Sequence, residues 1–111
     1  MPFEFGDVVL APFPSTNQMA VKQRPAVVVS SRAYNAVKLD VVIMAITSQL
    51  HPGASLGEVF IVDWQSANLL KPSAIKPVFA TLEQKLIVRG LGTLQAKDQS
   101  ALRAAIAAVL G

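Results

Sequence analysis

Short β-branched runs broken by turn residues fill the chain from Asp7 to Val88, and no helix-length segment separates one run from the next. That argues against alternating βαβ units, because parallel strands need a crossover connection of about a dozen residues or more, usually a helix. The first run is Asp7–Phe13, opened by Gly6 and closed by Pro12 and Pro14. Ala26–Ser30 contains Val27-Val28-Val29 and reads as a buried strand. Val37–Thr47 is longer, with Leu39, Val41, Ile43 and Ala45 on one face and Val42, Met44 and Ile46 on the other. Successive side chains alternate across a strand, so apolar residues on both faces predict a central position.

Glu58–Val62, Ala74–Phe79 and Leu86–Val88 are shorter strand candidates, the last two separated by Thr81 to Lys85. His51-Pro52-Gly53 marks a turn, and Gly90 and Gly92 bracket Leu91 where the chain reads as a tight reversal. Ser15 to Gln23 reads as a polar loop. The period then changes. Leu102, Ile106, Val109 and Leu110 recur at helical spacing among alanines, which predicts a helix over about Lys97–Leu110 packed on the sheet. Asp98 near its start suits the helix dipole. No repeat, low-complexity tract or linker interrupts the chain, so residues 1–111 form a single domain. The expected fold class is mainly β with a C-terminal α-helix, arranged as a small barrel.

Composition narrows the function. Hydrophobic residues make up 52% and charged residues 15%, which predicts an ordered core. The absence of cysteine excludes disulfide scaffolds, thiolate zinc sites and cysteine nucleophiles together. Met1 to Phe5 lacks the basic and apolar regions of a signal peptide. The apolar runs fall short of the ~20 residues a membrane helix needs, so a cytoplasmic protein with no membrane partner is expected. A net charge of +3 and a pI near 9.6 suit a polyanionic partner. Many domains of that charge nonetheless touch no nucleic acid.

Familiar catalytic patterns are missing. One histidine, His51, cannot build a multi-histidine metal site, and its Pro-Gly neighbours mark an ordinary turn. No phosphate loop or dinucleotide fingerprint occurs. The carboxylates are scattered without metal-pair or glycosidase spacing, so neither metal nor cofactor is expected. What remains are polar groups at the ends of apolar strands. Arg24 precedes Pro25 and the valine run, and Thr47-Ser48-Gln49 follows Val41–Ile46. If the two strands are neighbours, a guanidinium and two hydroxyls converge at one rim and suit a phosphate. If they are not, Arg24 is a surface charge and Thr47-Ser48 end a strand.

Read in order, several segments resemble the MazF/PemK/Kid family of toxin ribonucleases. They are Gly6-Asp7-Val8-Val9-Leu10-Ala11-Pro12-Phe13-Pro14, Lys22-Gln23-Arg24-Pro25 with the following valines, and Ala45-Ile46-Thr47-Ser48-Gln49. Leu69-Leu70-Lys71-Pro72-Ser73-Ala74-Ile75-Lys76, Thr81-Leu82, Leu91-Gly92-Thr93-Leu94 and the C-terminal helix continue the order. Each piece is weak alone, and together they cover nearly the whole chain. The resemblance implies an SH3-like barrel that forms a homodimer and cleaves single-stranded RNA, usually mRNA, without a metal. A cognate antitoxin would restrain it, and operator DNA would be met only through the antitoxin complex.

By the same resemblance Arg24 corresponds to the family's transition-state arginine and Thr47 to its site threonine, with Ser48 alongside. Lys22, Gln49, Lys71, Ser73 and Lys76 are the candidate RNA contacts, and Ser15–Gln23 corresponds to a mobile loop near the RNA and antitoxin surface. One departure stands out. Some members carry an arginine and an aspartate after the serine that Ser73 resembles, but here the segment is Lys76-Pro77-Val78-Phe79. Lys76 is the candidate substitute for the arginine, and nothing acidic stands beside it. A base would then come from elsewhere, with Glu58 and Glu83 as weak candidates, or activity would be reduced. Two alternatives follow. One is a barrel that binds RNA or antitoxin without cutting, and the other is a gyrase-blocking toxin of similar fold, against which the phosphate-suited residues argue.

Overall fold

A computed structural model describes residues 3–14, 21–53 and 55–111. It contains β1 (Asp7–Pro14), β2 (Val21–Val28), α1 (Arg32–Val37), β3 (Asp40–Thr47), β4 (Val59–Phe60), β5 (Ala74–Glu83), β6 (Arg89–Thr93) and α2 (Ala96–Leu110). The strands form one six-stranded sheet in the order β4-β5-β3-β2-β1-β6, and every neighbouring pair is antiparallel. The mainly β class with a C-terminal helix is as the sequence implies, and β3 is central. Apolar side chains cover both faces. Val8, Val27, Met44 and Ile75 pack with Leu102 of α2 on one face, while Val9, Ala26, Val28 and Ile43 pack on the other.

Prolines decide where the ladders stop. β6 accompanies β1 only as far as Leu10, so among the described residues Pro12 and Pro14 occupy a stretch of β1 with no strand on that side. Pro25 has no N–H to give, and the β2–β3 ladder stops at the residue that follows it, with Ala26↔Ala45 as its last pair. Beyond that point β2 stays with β1, pairing out to Val21, while β3 stays with β5, pairing out to Thr47↔Ala74. The sheet therefore forks. Pro77 has a similar effect on β5, where the register shifts between Met44↔Phe79 and Ile46↔Ile75 and leaves Lys76 to Val78 outside the ladder.

The segment after β4 curls the sheet toward closure. Ile61 donates its N–H to the Ser73 carbonyl at 3.0 Å, and the Trp64 carbonyl accepts from Ala67 and Leu69 at 3.2 and 3.1 Å. Asn68 sits at φ 60° and donates its side-chain amide to the Leu91 carbonyl at 2.6 Å, tying this segment to β6. A Cβ on Gly92 would stand 2.8 Å from the Ala67 backbone, so only glycine allows the approach. Asp98, fully buried in the first turn of α2, accepts the Val62 and Asp63 N–H groups at 2.9 Å each. The helix is thus joined to the same segment.

Several sequence expectations need revision. The region Gly90–Gly92 is not a reversal but strand β6, paired to β1, with a register shift at Val8/Val9 that accommodates Leu91 as an extra residue. Leu86–Val88 is not a strand, because Gln84–Leu86 forms a single 3₁₀ turn. Val37–Thr47 begins as a strand only at Asp40. Its first residues close α1, and Leu39 is 85% exposed. The helix α1 has no apolar period to reveal it. It is held by polar bonds: Ser31 caps Tyr34 N–H at 3.1 Å, and buried Asn35 donates to the Phe3 and Ser30 carbonyls at 2.8 and 3.1 Å.

Candidate functional site

The fork between β2 and β3 opens into a groove of about 590 Å³. Arg24 stands two residues past the last paired position of β2, and Thr47 two past that of β3, so the continued register sets them across the opening from each other. Their separation follows from Pro25, which ends the ladder and spreads the strands. Lys22 and Gln23 extend the β2 wall, and Ser48 and Gln49 extend the β3 wall. The third side comes from the segment Asn68 to Lys71 with Ser73, and from Arg89 and Leu91 of β6. Leu10, Pro25, Ile46 and Leu69 supply apolar lining.

Charge in the lining has one sign. Lys22, Arg24, Lys71 and Arg89 line the groove and are exposed, and no Asp, Glu or His joins them among the described residues. Hydroxyl orientation adds donors. Thr47 Oγ1 accepts the Gln49 backbone N–H at 3.1 Å, which leaves its own proton to give to a ligand. The nearly buried Ser73 instead spends its proton on the Lys71 carbonyl at 2.8 Å, fixing the turn that presents Lys71. A cationic wall facing neutral donors, in a concave space, is chemically suited to phosphate oxygens.

The tertiary structure brings together Arg24, Thr47, Ser48, Lys22, Gln49, Lys71 and Ser73 from the sequence-derived set. Lys76 is exposed on β5 outside the lining, within the stretch that Pro77 removes from the ladder. Glu58 lies half-buried before β4, and Glu83 at the end of β5 faces Lys85 at 3.7 Å. Neither lines the groove. Of the expected polar loop Ser15–Gln23, Val21 to Gln23 belong to β2, and Ser15 to Ala20 fall outside the described residues. Sequence reasoning missed Arg89 and Asn68. Arg89 sits beside a Gly-Leu-Gly stretch that reads as a turn, and nothing local to Asn68 signals that it meets Leu91.

A second hollow of about 700 Å³ lies between α2 and the N-terminal segment, bordered by Glu4, Phe5, Arg32, Arg103 and Leu110. It contains none of these candidates, and Arg103 is already stacked 3.8 Å over the Phe5 ring.

This curled sheet with a C-terminal helix is the fold of a class of bacterial toxins. An endoribonuclease in complex with its cognate antitoxin from a Mycobacterial species superposes with a TM-score of 0.80 at 20% identity, over 98% of this chain and 95% of that one. MazF from Deinococcus radiodurans gives 0.77 at 20% identity over 100% and 98%. The Mycobacterium tuberculosis toxin MazF-mt6 gives 0.73 at 23% identity over 90% and 91%. At such identities these likenesses establish the fold. A family model described as PemK-like, MazF-like toxin of type II toxin-antitoxin system matches residues 4–110, and the chain belongs to that family. No curated protein sequence matches it.

Proposed function

We propose that the chain is a toxin endoribonuclease that cleaves single-stranded RNA without a metal ion. The observation that carries this reading is the groove itself, in which Arg24 faces Thr47 across a lining whose charges are all positive. In the reaction a ribose 2′-oxygen attacks the adjacent phosphorus and loses its proton. The bond to the 5′-oxygen breaks, and that oxygen takes up a proton, leaving a 2′,3′-cyclic phosphate and a 5′-hydroxyl. Arg24 supplies a planar pair of donors to the charge that develops on the phosphorane oxygens. Thr47, and Ser48 beside it, add neutral hydrogen bonds. Since the lining holds no carboxylate or imidazole among the described residues, catalysis rests on charge stabilisation and positioning, with protons exchanged with solvent.

The test is to incubate the purified protein with mixed single-stranded RNA in EDTA. Discrete fragments ending in cyclic phosphate support the reading, and intact RNA after long incubation rejects it. The missing base favours a second reading, a barrel that binds RNA or an antitoxin without cutting. That protein would retain RNA in a filter-binding assay and yield no fragments. Family membership supports an antitoxin as the restraining partner and is consistent with a homodimer as the working form; the cytoplasm is the place of action that goes with this reading.

A further inference from the structure

We infer that the hollow between α2 and the N-terminal segment is a docking site for an acidic, leucine-bearing peptide segment of another protein. It is a surface separate from the groove, and the two share no lining residue. Arg24 marks the groove end of β2 and Val29 the hollow end, roughly 17 Å apart along the strand. A partner seated in the hollow therefore leaves the groove open, whatever the groove binds.

The floor of the hollow is apolar. Phe5, Val29 and Ile106 are half-buried, packed on the core from one side and bordering the hollow from the other. Gln99, Arg103, Ile106, Ala107 and Leu110 recur at intervals of three and four, so a stripe of α2 borders the hollow beside the stripe that meets the sheet. At the end of that stripe Leu110 is 66% exposed, a large apolar side chain left uncovered at the rim.

Charge decides what covers that floor. The Phe5 ring, 3.8 Å below the Arg103 guanidinium, supports its face and leaves its edge N–H groups for an acceptor. A planar fork held in this way fits a carboxylate. Arg32, exposed at the start of α1, borders the same hollow and adds a second cation. Among the described residues neither arginine is ion-paired, although Glu4 is also in the lining. Two cations against one carboxylate leave a positive charge in excess, which fits carboxylates spaced among apolar side chains. A single-stranded nucleic acid is a poorer match, because its phosphates would meet Glu4 and its bases would find the Phe5 ring already covered by Arg103. A second copy is poorer too. Of the chain's seven carboxylates, Asp7, Asp40 and Asp98 are hydrogen-bonded, Glu83 faces Lys85 and Glu4 is in the hollow, which leaves only Glu58 and Asp63 to offer.

Fluorescence anisotropy with short labelled peptides tests this. The probe carries Leu flanked by Glu in a Gly-Ser background, and two controls replace either the Glu by Gln or the Leu by Ser. The wild-type protein should bind the probe, and each control about tenfold more weakly, the loss expected for a charge-assisted contact or a covered leucine. Arg103→Gln and Leu110→Ser should each weaken the probe by about the same factor. Both residues are exposed, so Tm should hold. Arg103→Glu should reverse the preference in favour of a probe with Lys in place of Glu. Arg24→Ala, in the groove, should leave the probe's affinity unchanged, and oligonucleotide binding by Arg103→Gln should match that of the wild type. No binding of the probe by the wild type, or equal binding by both hollow variants, overturns the site. Loss of the probe in Arg24→Ala moves it to the groove and overturns the site as well. So does loss of oligonucleotide binding in Arg103→Gln, which gives the hollow to nucleic acid, or a change from dimer to monomer in Leu110→Ser, which gives it to a second copy. A wild type that binds the probe and no RNA rejects the reading of the groove while the hollow stands.

Discussion

Arg24 owes its position to its neighbour. Pro25 ends the β2–β3 ladder at Ala26, and the arginine just beyond is free of β3 while β1 still holds its backbone. A preorganised cation facing a developing phosphorane contributes roughly 3–4 kcal/mol, on the order of 10²–10³ in rate. Arg24 is exposed and adds little to folding. Arg24→Ala is therefore expected to lose most RNA cleavage in single-turnover assays with an unchanged Tm. Arg24→Lys should recover part of it, since a point charge cannot span two oxygens. Thr47→Val should cost about 1 kcal/mol, the size of one neutral hydrogen bond. The proton-transfer side of the reaction has its own test. With Glu58 and Glu83 outside the groove, Glu58→Gln and Glu83→Gln should leave the pH–rate profile unchanged, and the rate should rise with pH without an inflection near four. An acidic limb that vanishes in either variant would identify that glutamate as the base and contradict this assignment.

At the scale of elements, α2 does more than cover apolar surface. Leu102 enters the core beside Val8 and Ile75, and Asp98 holds the chain after β4 through two backbone amides. That chain continues into Asn68–Lys71, the third side of the groove. Removing the Asp98 carboxylate orphans those amides at a cost of roughly 1–3 kcal/mol. Asp98→Ala should lower Tm by several degrees, and Asp98→Asn, which keeps one acceptor oxygen, should lie between. Hydrogen exchange should locate the loosened amides at Val62 and Asp63. Protection unchanged there would contradict the anchoring role. Gly92 matters for the same reason, because its missing Cβ is what lets the anchored segment reach β6.

For the whole molecule, the one-signed groove governs association. Neutralising a phosphate on a single strand lowers the log affinity by about 0.7 for each unit of log salt. Each of Lys22→Ala, Lys71→Ala and Arg89→Ala should reduce that slope by about this amount, whereas Lys76→Ala, outside the lining, should not. Equal slopes across the four variants would reject the groove as the RNA path. The proposed homodimer follows from the family reading. Light scattering at micromolar concentration should give twice the chain mass, and a monomer would count against it.

The sequence alone determined what depends on neighbours along the chain. Val27-Val28 and Val41–Ile46 had to be strands, although β2 ends before half-buried Val29 and Ser30, the alanine-rich end had to be helical, and β3 had to be central because both of its faces are apolar. Arg24 and Thr47 were legible as strand-end polar groups, and their order within family-like segments was legible too. Side chains held by distant partners were not. Asn35 organises α1 by reaching Phe3, and Asn68 meets Leu91 far along the chain, so neither leaves a local period to read. β6 exists because β1 offers an unpaired edge, which overrides the turn preference of Gly90 and Gly92. The opening between Arg24 and Thr47, and the presence of Arg89 beside it, were decided only when the strands took their neighbours and the prolines fixed where each ladder stops.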